Sequence, residues 1–225
     1  MKLPGVSIWG DSIAKGIVFD EERGRYMVYR DNCVLRLSRD AGVEVRNFAV
    51  MGNTSAQGLA RMEGQELTPG DIAVIEFGGN DCDLDWTAAS EHPEVMQEGK
   101  VPLEKFGQNL KEMVSRVRAG GMIPALVTPP PLVSQRYFDW VSRKLDRTKI
   151  LNYLGDVEHI YRWQERYALM IRRVAQRESA MLLDVRDLFL SQKHFTNLMC
   201  VDGIHPNEQG HELLFHEFAG LLQGV

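Results

Sequence analysis

Five short apolar runs, separated by longer amphipathic segments, constrain the fold of this chain more than any other feature of its sequence. They occupy residues 6–9, 43–48, 72–77, 123–128 and 181–185. Several of these runs are nearly continuous in apolar residues, which is typical of strands that are buried on both faces of a parallel sheet. The sequence therefore predicts five such strands.

The segments between these runs have the periodicity of amphipathic helices. In residues 104–119 the apolar side chains form a single stripe, and Gly120 follows where a helix C-terminal cap is expected. Residues 157–177 and 206–222 show the same pattern, and Pro206 lies near the first turn of the last segment. Strands that alternate with helices predict an α/β three-layer sandwich around a parallel sheet, with right-handed crossovers.

The chain is predicted to form one domain. Its 225 residues suit a single domain, with an elaborate insertion at most, and its 44% hydrophobic and 25% charged residues are typical of globular proteins. No repeat or linker divides residues 1–225. Residues 134–158 form an atypical segment that is long, basic and aromatic, and we expect it to be a partly helical insertion between the fourth and fifth strands.

Charge and cysteine usage argue against several classes of function. A net charge of −5 disfavours nucleic acid as a partner, because phosphate binding requires a basic face. No stretch approaches the roughly 18 consecutive apolar residues of a membrane span, and Pro4, Gly5 and Asp11 interrupt any secretory signal core. The three cysteines form no CxxC pair, so reduced thiols and a cytoplasmic location are expected.

Motifs for metals and nucleotides are absent or incomplete, so no metal and no cofactor are expected. The sequence has no P-loop and no G-x-G-x-x-G after a strand. His211 and His216 lie five positions apart, whereas a zinc-binding helix needs two histidines four apart on one face. Residues 81–85 begin like a calcium loop, but Trp86 occupies the position that requires glycine.

Candidate functional residues follow the predicted strands, at the edge of the sheet where α/β proteins bind ligands. They are Ser12 after the first strand, Gly52 after the second, Asn80 after the third, and Asp202 and His205 after the fifth. Ser12 is expected on a strand-to-helix turn. A hydroxyl, an amide, a carboxylate and an imidazole are therefore predicted to converge on one edge.

These residue types suit nucleophilic catalysis at a carbonyl carbon. Serine needs a base to act as a nucleophile near neutral pH, and His205 is the candidate. Asp202, three residues earlier, can orient the far ring nitrogen of His205 from the same loop. The Asn80 amide and the backbone N–H of Gly52 are candidate donors to the negative charge that develops on the carbonyl oxygen.

Four short motifs make the sequence resemble the SGNH hydrolases, also called the GDSL esterase/lipase family. They are residues 10–13 (Gly-Asp-Ser-Ile), 47–54, 78–81 (Gly-Gly-Asn-Asp) and 202–207 (Asp-Gly-Ile-His-Pro-Asn). Ile13 departs mildly from the family, which usually has Leu there. The motifs span nearly the whole chain, and the resemblance implies a flavodoxin-like three-layer sandwich with five parallel strands.

The resemblance also implies roles for these residues. The implied nucleophile is Ser12, the base is His205 and its partner is Asp202. The implied oxyanion hole consists of the N–H groups of Ser12 and Gly52 and the side-chain amide of Asn80. The expected activity is the hydrolysis of carboxylic esters through an acyl-enzyme without a cofactor. Short acyl groups are favoured, with an acetyl ester on a small molecule or a carbohydrate as the substrate.

Several assignments stay open at this point. Asp11, Tyr137 and Trp140 are candidate substrate-binding residues. The aromatic side chains of Tyr137, Phe138 and Trp140 would either stack on a sugar or acyl chain or pack locally. The basic cluster in residues 143–149 is either a solvated face or a site for an anionic part of the substrate. The alternative functions are a thioesterase or lysophospholipase, an acyltransferase, and a non-catalytic protein that binds a glycan or acyl group. The oligomeric state is also open.

Overall fold

The sheet has the strand order of a doubly wound α/β fold. The computed structural model describes residues 4–223, with side chains up to residue 220. Its strands are β1 (Val6–Gly10), β2 (Ile17–Asp20), β3 (Arg25–Val28), β4 (Val45–Asn47), β5 (Ile72–Glu76), β6 (Ile123–Val127) and β7 (Met181–Leu183). Five of them form a parallel sheet in the order β4-β1-β5-β6-β7. This is the order of flavodoxin-like sheets, so the predicted fold class is confirmed.

Helices cover both faces of this sheet. They are α1 (Cys33–Arg39), α2 (Ser55–Arg61), α3 (Gly79–Cys82), α4 (Trp86–Glu91), α5 (Leu103–Ala119), α6 (Ser134–Ser142), α7 (Arg147–Leu154), α8 (His159–Glu178), α9 (Val185–Leu190) and α10 (Glu208–Gln223). One face packs against α5 and α8, and the other packs against α1, α9 and α10. Over the described part of the chain, none of these helices is long and apolar enough to cross a membrane.

Strand β1 shows how one strand contributes to both cores. Val6 and Ile8 pack into the layer of α1 and α10, whereas Trp9 packs into the layer of α5 and α8. All five residues of the strand are buried. Because neighbouring strand residues face opposite sides of a sheet, a strand covered on both faces is apolar almost throughout, which explains the runs in the sequence.

The helix predicted at residues 104–119 forms as α5. Its buried apolar side chains are Phe106, Leu110, Met113, Val114 and Val117. Each apolar side chain that is fully buried contributes roughly 1.5–3 kcal/mol relative to an exposed one, so this face holds α5 against the sheet and α8. The N–H of Gly120 bonds to the carbonyl of Arg116 and ends the helix.

The segment that follows Ser12 differs from the prediction of a strand-to-helix turn. Residues 11–16 form one tight turn, in which the N–H of Ile17 donates to the carbonyl of Ser12 (2.9 Å), and the chain then enters an antiparallel hairpin of β2 and β3. The first helix begins only at Cys33. The cause is local, because β2 is rich in β-branched and aromatic residues that favour strands, and polar residues 21–24 form the connecting turn.

Residues 134–158, the segment expected to be a partly helical insertion, form α6 and α7. Together with the first turn of α8 they enclose a small apolar core that comprises Leu132, Phe138, Ile150, Leu154 and Ile160. Tyr137 and Leu154 also line the same cavity as Ser12. The segment therefore lies beside the carboxyl edge of the sheet.

Candidate active site

The loops after β1 and before α10 meet at the carboxyl edge of the sheet. Oγ of Ser12 lies 2.8 Å from Nε2 of His205, and Nδ1 of His205 lies 2.6 Å from Oδ2 of Asp202. The exposed fractions of Ser12, His205 and Asp202 are 7%, 5% and 0%. The structure thus brings these three residues into one hydrogen-bonded chain, although 193 positions separate Ser12 from His205.

Asp202 is fixed by a tight loop. Its Oδ1 accepts hydrogen bonds from the N–H groups of Ile204 (3.0 Å) and His205 (3.2 Å). Gly203 has a φ of +77°, and a Cβ there would also meet the side chain of Arg136 at 2.8 Å, so the loop requires glycine. Burial opposes ionisation of Asp202, but the hydrogen bonds from His205 and the loop outweigh it and lower the pKa of this carboxyl. Asp202 is therefore ionised at neutral pH and can stabilise a charged imidazole.

Three candidate hydrogen-bond donors belong to residues of one cavity: the N–H groups of Ser12 and Gly52 and the side-chain amide of Asn80. Gly52 and Asn80 line one cavity with Ser12. Neither the N–H of Ser12 nor that of Gly52 has an acceptor within residues 4–223. Gly52 has a φ of +81°, a conformation that side-chain-bearing residues rarely adopt. Donors without an acceptor inside the protein are available to a negatively charged oxygen of a ligand.

Asn80 is held in place by Asp11. Nδ2 of Asn80 donates to Oδ2 of Asp11 (2.9 Å), and Oδ1 of Asp11 accepts from the N–H of Ile13 (3.0 Å). The amide nitrogen of Asn80 has a second hydrogen that can serve the cavity. Asp11, a candidate substrate contact from the sequence, lines the cavity but is only 1% exposed. Its hydrogen bonds orient Asn80 and the turn that carries Ser12.

A buried carboxyl, that of Glu76, lies beneath this turn and was not among the site residues predicted from the sequence. Oε2 of Glu76 accepts from the N–H groups of Asp11 and Ala14, both at 3.3 Å. Burial raises the pKa of Glu76 well above its ordinary value, and the nearby charge of Asp11 raises it further. The sequence contained one indication of this role: Glu76 ends an otherwise apolar strand, at a position where a buried strand usually has an apolar residue.

Asp81 also escaped the analysis as a functional residue, although it lies in one of the quoted motifs. Its carboxylate accepts from the N–H of Ser55 (2.9 and 3.1 Å), from Oγ of Ser55 (2.5 Å) and from the N–H of Gly78 (3.1 Å). Asn109 donates to the same Ser55 hydroxyl at 2.9 Å. Asp81 thereby ties the start of α2, which follows Gly52, to α3.

A cavity of about 220 Å³ opens beside Ser12. Its apolar and aromatic walls are formed by Met51, Leu84, Trp86, Leu132, Tyr137, Leu154, Ile160, Trp163 and Ile204. Asp11 and Asp83 line it as well. Asp83 pairs with Lys100 (2.8 Å), but within the described residues no lysine or arginine lies in the lining itself. The basic cluster in residues 143–149 lies outside the lining, so it gives no support to an anionic substrate at this site.

The structure brings only one of the two candidate aromatic residues to the cavity. Tyr137 lines it, and the Tyr137 hydroxyl donates to Oδ1 of Asp83 (2.7 Å). The ring of Trp140 packs edge-on against Phe19 of the hairpin, with 4.8 Å between ring centroids, and the guanidinium of Arg143 lies 3.9 Å from its centre. The position of Trp140 therefore fits local packing and not substrate contact.

A smaller apolar cavity of about 70 Å³ lies on the other face of the sheet, under α1 and α10. Aliphatic side chains form most of its lining, which contains neither serine nor histidine. Among the described residues, its lining lacks a serine and a histidine in contact with each other, so the cavity beside Ser12 is the candidate active site.

The histidines of the zinc-like segment have separate environments. Burial lowers the pKa of His211 to about 4, whereas the ring of His216 pairs with Glu212 on the helix surface (2.7 Å). Within residues 4–223, no group of three or more histidine, cysteine, aspartate and glutamate side chains is arranged to hold a metal ion.

Comparison with known proteins identifies the family of this chain. Residues 8–213 match the sequence model of the GDSL-like Lipase/Acylhydrolase family. The chain belongs to this family. It is therefore a carboxylic ester hydrolase of the GDSL type. No curated protein matches its sequence.

Solved structures share the fold of this GDSL hydrolase at low sequence identity. A lipase/acylhydrolase from Enterococcus faecalis has a TM-score of 0.67 at 20% identity, over 99% of this chain and 96% of that one. A mutant acetyl-xylooligosaccharide esterase from Geobacillus Stearmophilus has a TM-score of 0.64 at 20% identity, over 99% and 96%. A psychrotrophic esterase from Pseudoalteromonas sp. has a TM-score of 0.60 at 18% identity, over 98% and 97%.

Proposed function

We propose that this GDSL hydrolase is a serine esterase in which Ser12 attacks the ester carbonyl and His205 accepts the serine proton. The observation that carries the proposal is the unbroken contact from Asp202 through His205 to Ser12, at 2.6 and 2.8 Å. A base within hydrogen-bond reach of the hydroxyl is the arrangement that serine activation requires. An ionised Asp202 holds the imidazole and stabilises the imidazolium that forms.

The proposed reaction passes through an acyl-enzyme. Oγ of Ser12 adds to the carbonyl carbon, and the N–H groups of Ser12 and Gly52 and the amide of Asn80 stabilise the resulting oxyanion. His205 then gives its proton to the leaving alcohol. A water molecule then attacks the acyl carbon while His205 takes its proton. As the bond between that carbon and Oγ breaks, His205 returns the proton to Oγ of Ser12, and the acid is released. Removing one donor of this kind typically lowers turnover about 100- to 1,000-fold.

The proposed substrate is a neutral short-chain ester, with an acetyl group on a carbohydrate as the favoured case. Buried side chains such as Leu132 and Leu154 limit the depth of the cavity of about 220 Å³. The half-buried aromatic ring of Trp86 provides a face on which a sugar ring can stack. The acetyl-xylooligosaccharide esterase shares only the fold with this chain, so the support for a sugar comes from the cavity wall.

Two alternatives have less support from the cavity. Lysophospholipids and many thioester carriers contain phosphate groups, which are bound through lysine, arginine or backbone N–H groups. Within the described residues, no lysine or arginine lines this cavity, and Asp11 and Asp83 do. A non-catalytic binding protein would have no use for a histidine that contacts both a carboxylate and a serine hydroxyl.

We propose the cytoplasm as the compartment in which the enzyme acts. Cys33, Cys82 and Cys200 are buried and unpaired. Free thiols of this kind persist in a reducing compartment. Fractionation of cells that express the tagged chain tests this proposal, and recovery of the protein mainly in the culture medium would contradict it.

Hydrolysis of p-nitrophenyl acetate by the Ser12→Ala and His205→Ala variants tests the esterase proposal. We expect each variant to lose activity by about a thousandfold or more, because nucleophile and base act as a unit. Ser191→Ala is the matched control, since Ser191 is exposed at the end of α9, and its activity should equal that of the parent. A fluorophosphonate probe should label Ser12 in the parent. Retained activity in either site variant, or binding of acetylated sugars without release of acetate, would contradict the proposal.

Substrate preference needs a second panel. We expect p-nitrophenyl acetate and butyrate to be cleaved faster than octanoate, and acetate to be released from acetylated xylooligosaccharides. A clear preference for octanoate would contradict the short-chain assignment, and transfer of the acyl group to an added alcohol would identify an acyltransferase.

A further inference from the structure

Asp202 receives a hydrogen bond from outside its own loop. The hydroxyl of Tyr26 donates to Oδ2 of Asp202 at 3.1 Å. This oxygen is also the one that accepts from Nδ1 of His205 at 2.6 Å. Tyr26 lies near one end of the chain and the Asp202 loop near the other, with 176 positions between Tyr26 and Asp202.

The hairpin of β2 and β3 holds Tyr26 in this position. Its ring lies 5.1 Å from that of His205, between ring centroids, and 5.2 Å from that of Phe19 on the neighbouring strand. Trp140 of α6 packs against Phe19 (4.8 Å) and Tyr26 (6.1 Å). The N–H of Phe19 contacts Sγ of Cys200 at 3.5 Å, close to the Asp202 loop. The hairpin therefore packs against that loop, and Tyr26 also lines the cavity beside Ser12.

The hydroxyl of Tyr26 stays protonated, and so remains a hydrogen-bond donor, at acid and neutral pH. Burial and the neighbouring charge of Asp202 raise the pKa of Tyr26 well above its ordinary value. A protonated phenol can donate to the same carboxylate oxygen as the imidazole, but it cannot accept the proton of the imidazole. Tyr26 consequently contributes a fixed partial positive charge at Oδ2.

We propose that Tyr26 is a positioning residue that, through Asp202, controls how readily His205 accepts the proton of Ser12. This inference rests on the proposed function of these residues. A donor on Oδ2 draws negative charge away from the side of the carboxylate that faces the imidazole, and it therefore weakens the stabilisation of the charged imidazole. Without this donor, Asp202 stabilises the imidazolium more strongly, and His205 is a less effective base toward Ser12 in the acid range.

Tyr26→Phe replaces no other charged or titratable group around this pair. These groups are Asp11 in the loop after β1, His211 on α10, Arg143 after α6, and Cys200 in the loop before Asp202. The phenyl ring is retained in Tyr26→Phe, so the contacts with His205 and Phe19 are retained too. A change in pH dependence in this variant therefore reports the loss of one hydrogen bond.

The pH profile of kcat/KM for p-nitrophenyl acetate tests the proposal in Tyr26→Phe. We expect the acid limb to move to higher pH by about half to one pH unit, as the loss of one hydrogen bond to a charged group predicts, while KM changes by less than about twofold. Tyr29→Phe is the matched control, because Tyr29 follows the same hairpin and neighbours His211 (6.1 Å) instead of Asp202. Its profile should coincide with that of the parent. An unmoved acid limb in Tyr26→Phe, or a uniform loss of activity at every pH, would overturn the proposal.

A double-mutant cycle keeps the inference testable if Tyr26→Phe destabilises the hairpin. In an Asp202→Ala background the rate of fluorophosphonate labelling should be the same with Tyr26 or Phe, because Tyr26 then has no carboxylate through which to act. An equal loss in both backgrounds would assign Tyr26 a merely structural role. Absence of labelling and turnover in the parent itself would instead contradict the proposed function, so the two failures are distinguishable.

Discussion

Asp81 illustrates how a residue that is absent from the lining of the cavity can hold two parts of the site together. Its carboxylate accepts four contacts from Ser55 and Gly78 and so joins the loop of Gly52 to the turn of Asn80. Burial nevertheless raises the pKa of Asp81 to about 6, against hydrogen bonds that favour its charged form. The site therefore includes a carboxyl that titrates just below neutral pH.

This pKa leads to a prediction about stability. Between about pH 4 and 6 the folded chain binds more protons at Asp81 than the unfolded chain, in which the ordinary value of 3.8 applies. The stability contributed by protonated Asp81 is therefore lost as the pH rises through this window. Asp81→Asn cannot titrate at this position and has no such loss. The free energy of unfolding of the variant minus that of the parent should therefore rise by about 2 kcal/mol from pH 4 to pH 7.

Urea unfolding of both proteins at a series of pH values measures this difference. Comparison with the parent removes the contributions of all other groups that titrate alike in the two proteins. A difference that stays constant across the window, or one that falls with rising pH, would show that Asp81 is ionised at lower pH.

At the scale of single elements, α6 carries two candidates for substrate contact, Tyr137 and Trp140, that the sequence does not distinguish. Tyr137 lines the cavity, whereas Trp140 packs on the hairpin. We expect Tyr137→Ala to raise KM for acetylated xylooligosaccharides by roughly three- to tenfold, because about 0.5–1.5 kcal/mol of aromatic contact is lost. Trp140→Ala should leave KM within about twofold and lower the free energy of unfolding by about 1–3 kcal/mol.

The two variants act as controls for each other. Steady-state kinetics and urea unfolding on the same preparations separate the two effects. A large increase in KM for Trp140→Ala with no change for Tyr137→Ala would reverse the assignment of these residues.

Elements that follow from local pattern were predictable, and elements that depend on contacts between distant segments were not. The spacing of apolar residues predicts the strands of the parallel sheet and α5, and Ser12 and His205 lie in recognisable motifs. The hairpin was missed because strand-helix alternation suggested a helix after Ser12, while β2 and β3 have only four residues each. The contact from Tyr26 to Asp202 could not be predicted, because it depends on how that hairpin folds back.

At the scale of the whole molecule, the negative charge of the protein favours neutral esters over anionic ones as substrates. The chain has a net charge of −5. Asp11 and Asp83 line the cavity and Asp202 lies behind His205, and no lysine or arginine in the described part of the chain lines the cavity. Asp83 pairs with Lys100 outside the lining (2.8 Å), so the carboxylate of Asp11 is the main negative charge that an anionic ester would meet in the cavity. Such repulsion acts over roughly 10 Å at about 0.1 M salt and is weakened as salt is added.

A pair of acetate esters that differ only in a distant carboxylate would measure this effect. At low ionic strength we expect kcat/KM for the anionic ester to be about five- to tenfold below that for its neutral methyl ester, as repulsion of about 1–1.4 kcal/mol predicts. Raising the salt to about 0.5 M should bring the two values to within about twofold, because screening shortens the reach of the acidic groups. The neutral ester is the matched control, since its rate should change little with salt. Faster cleavage of the anionic ester at low salt would show that cations outside the cavity lining, such as those of residues 143–149, govern the approach of the substrate.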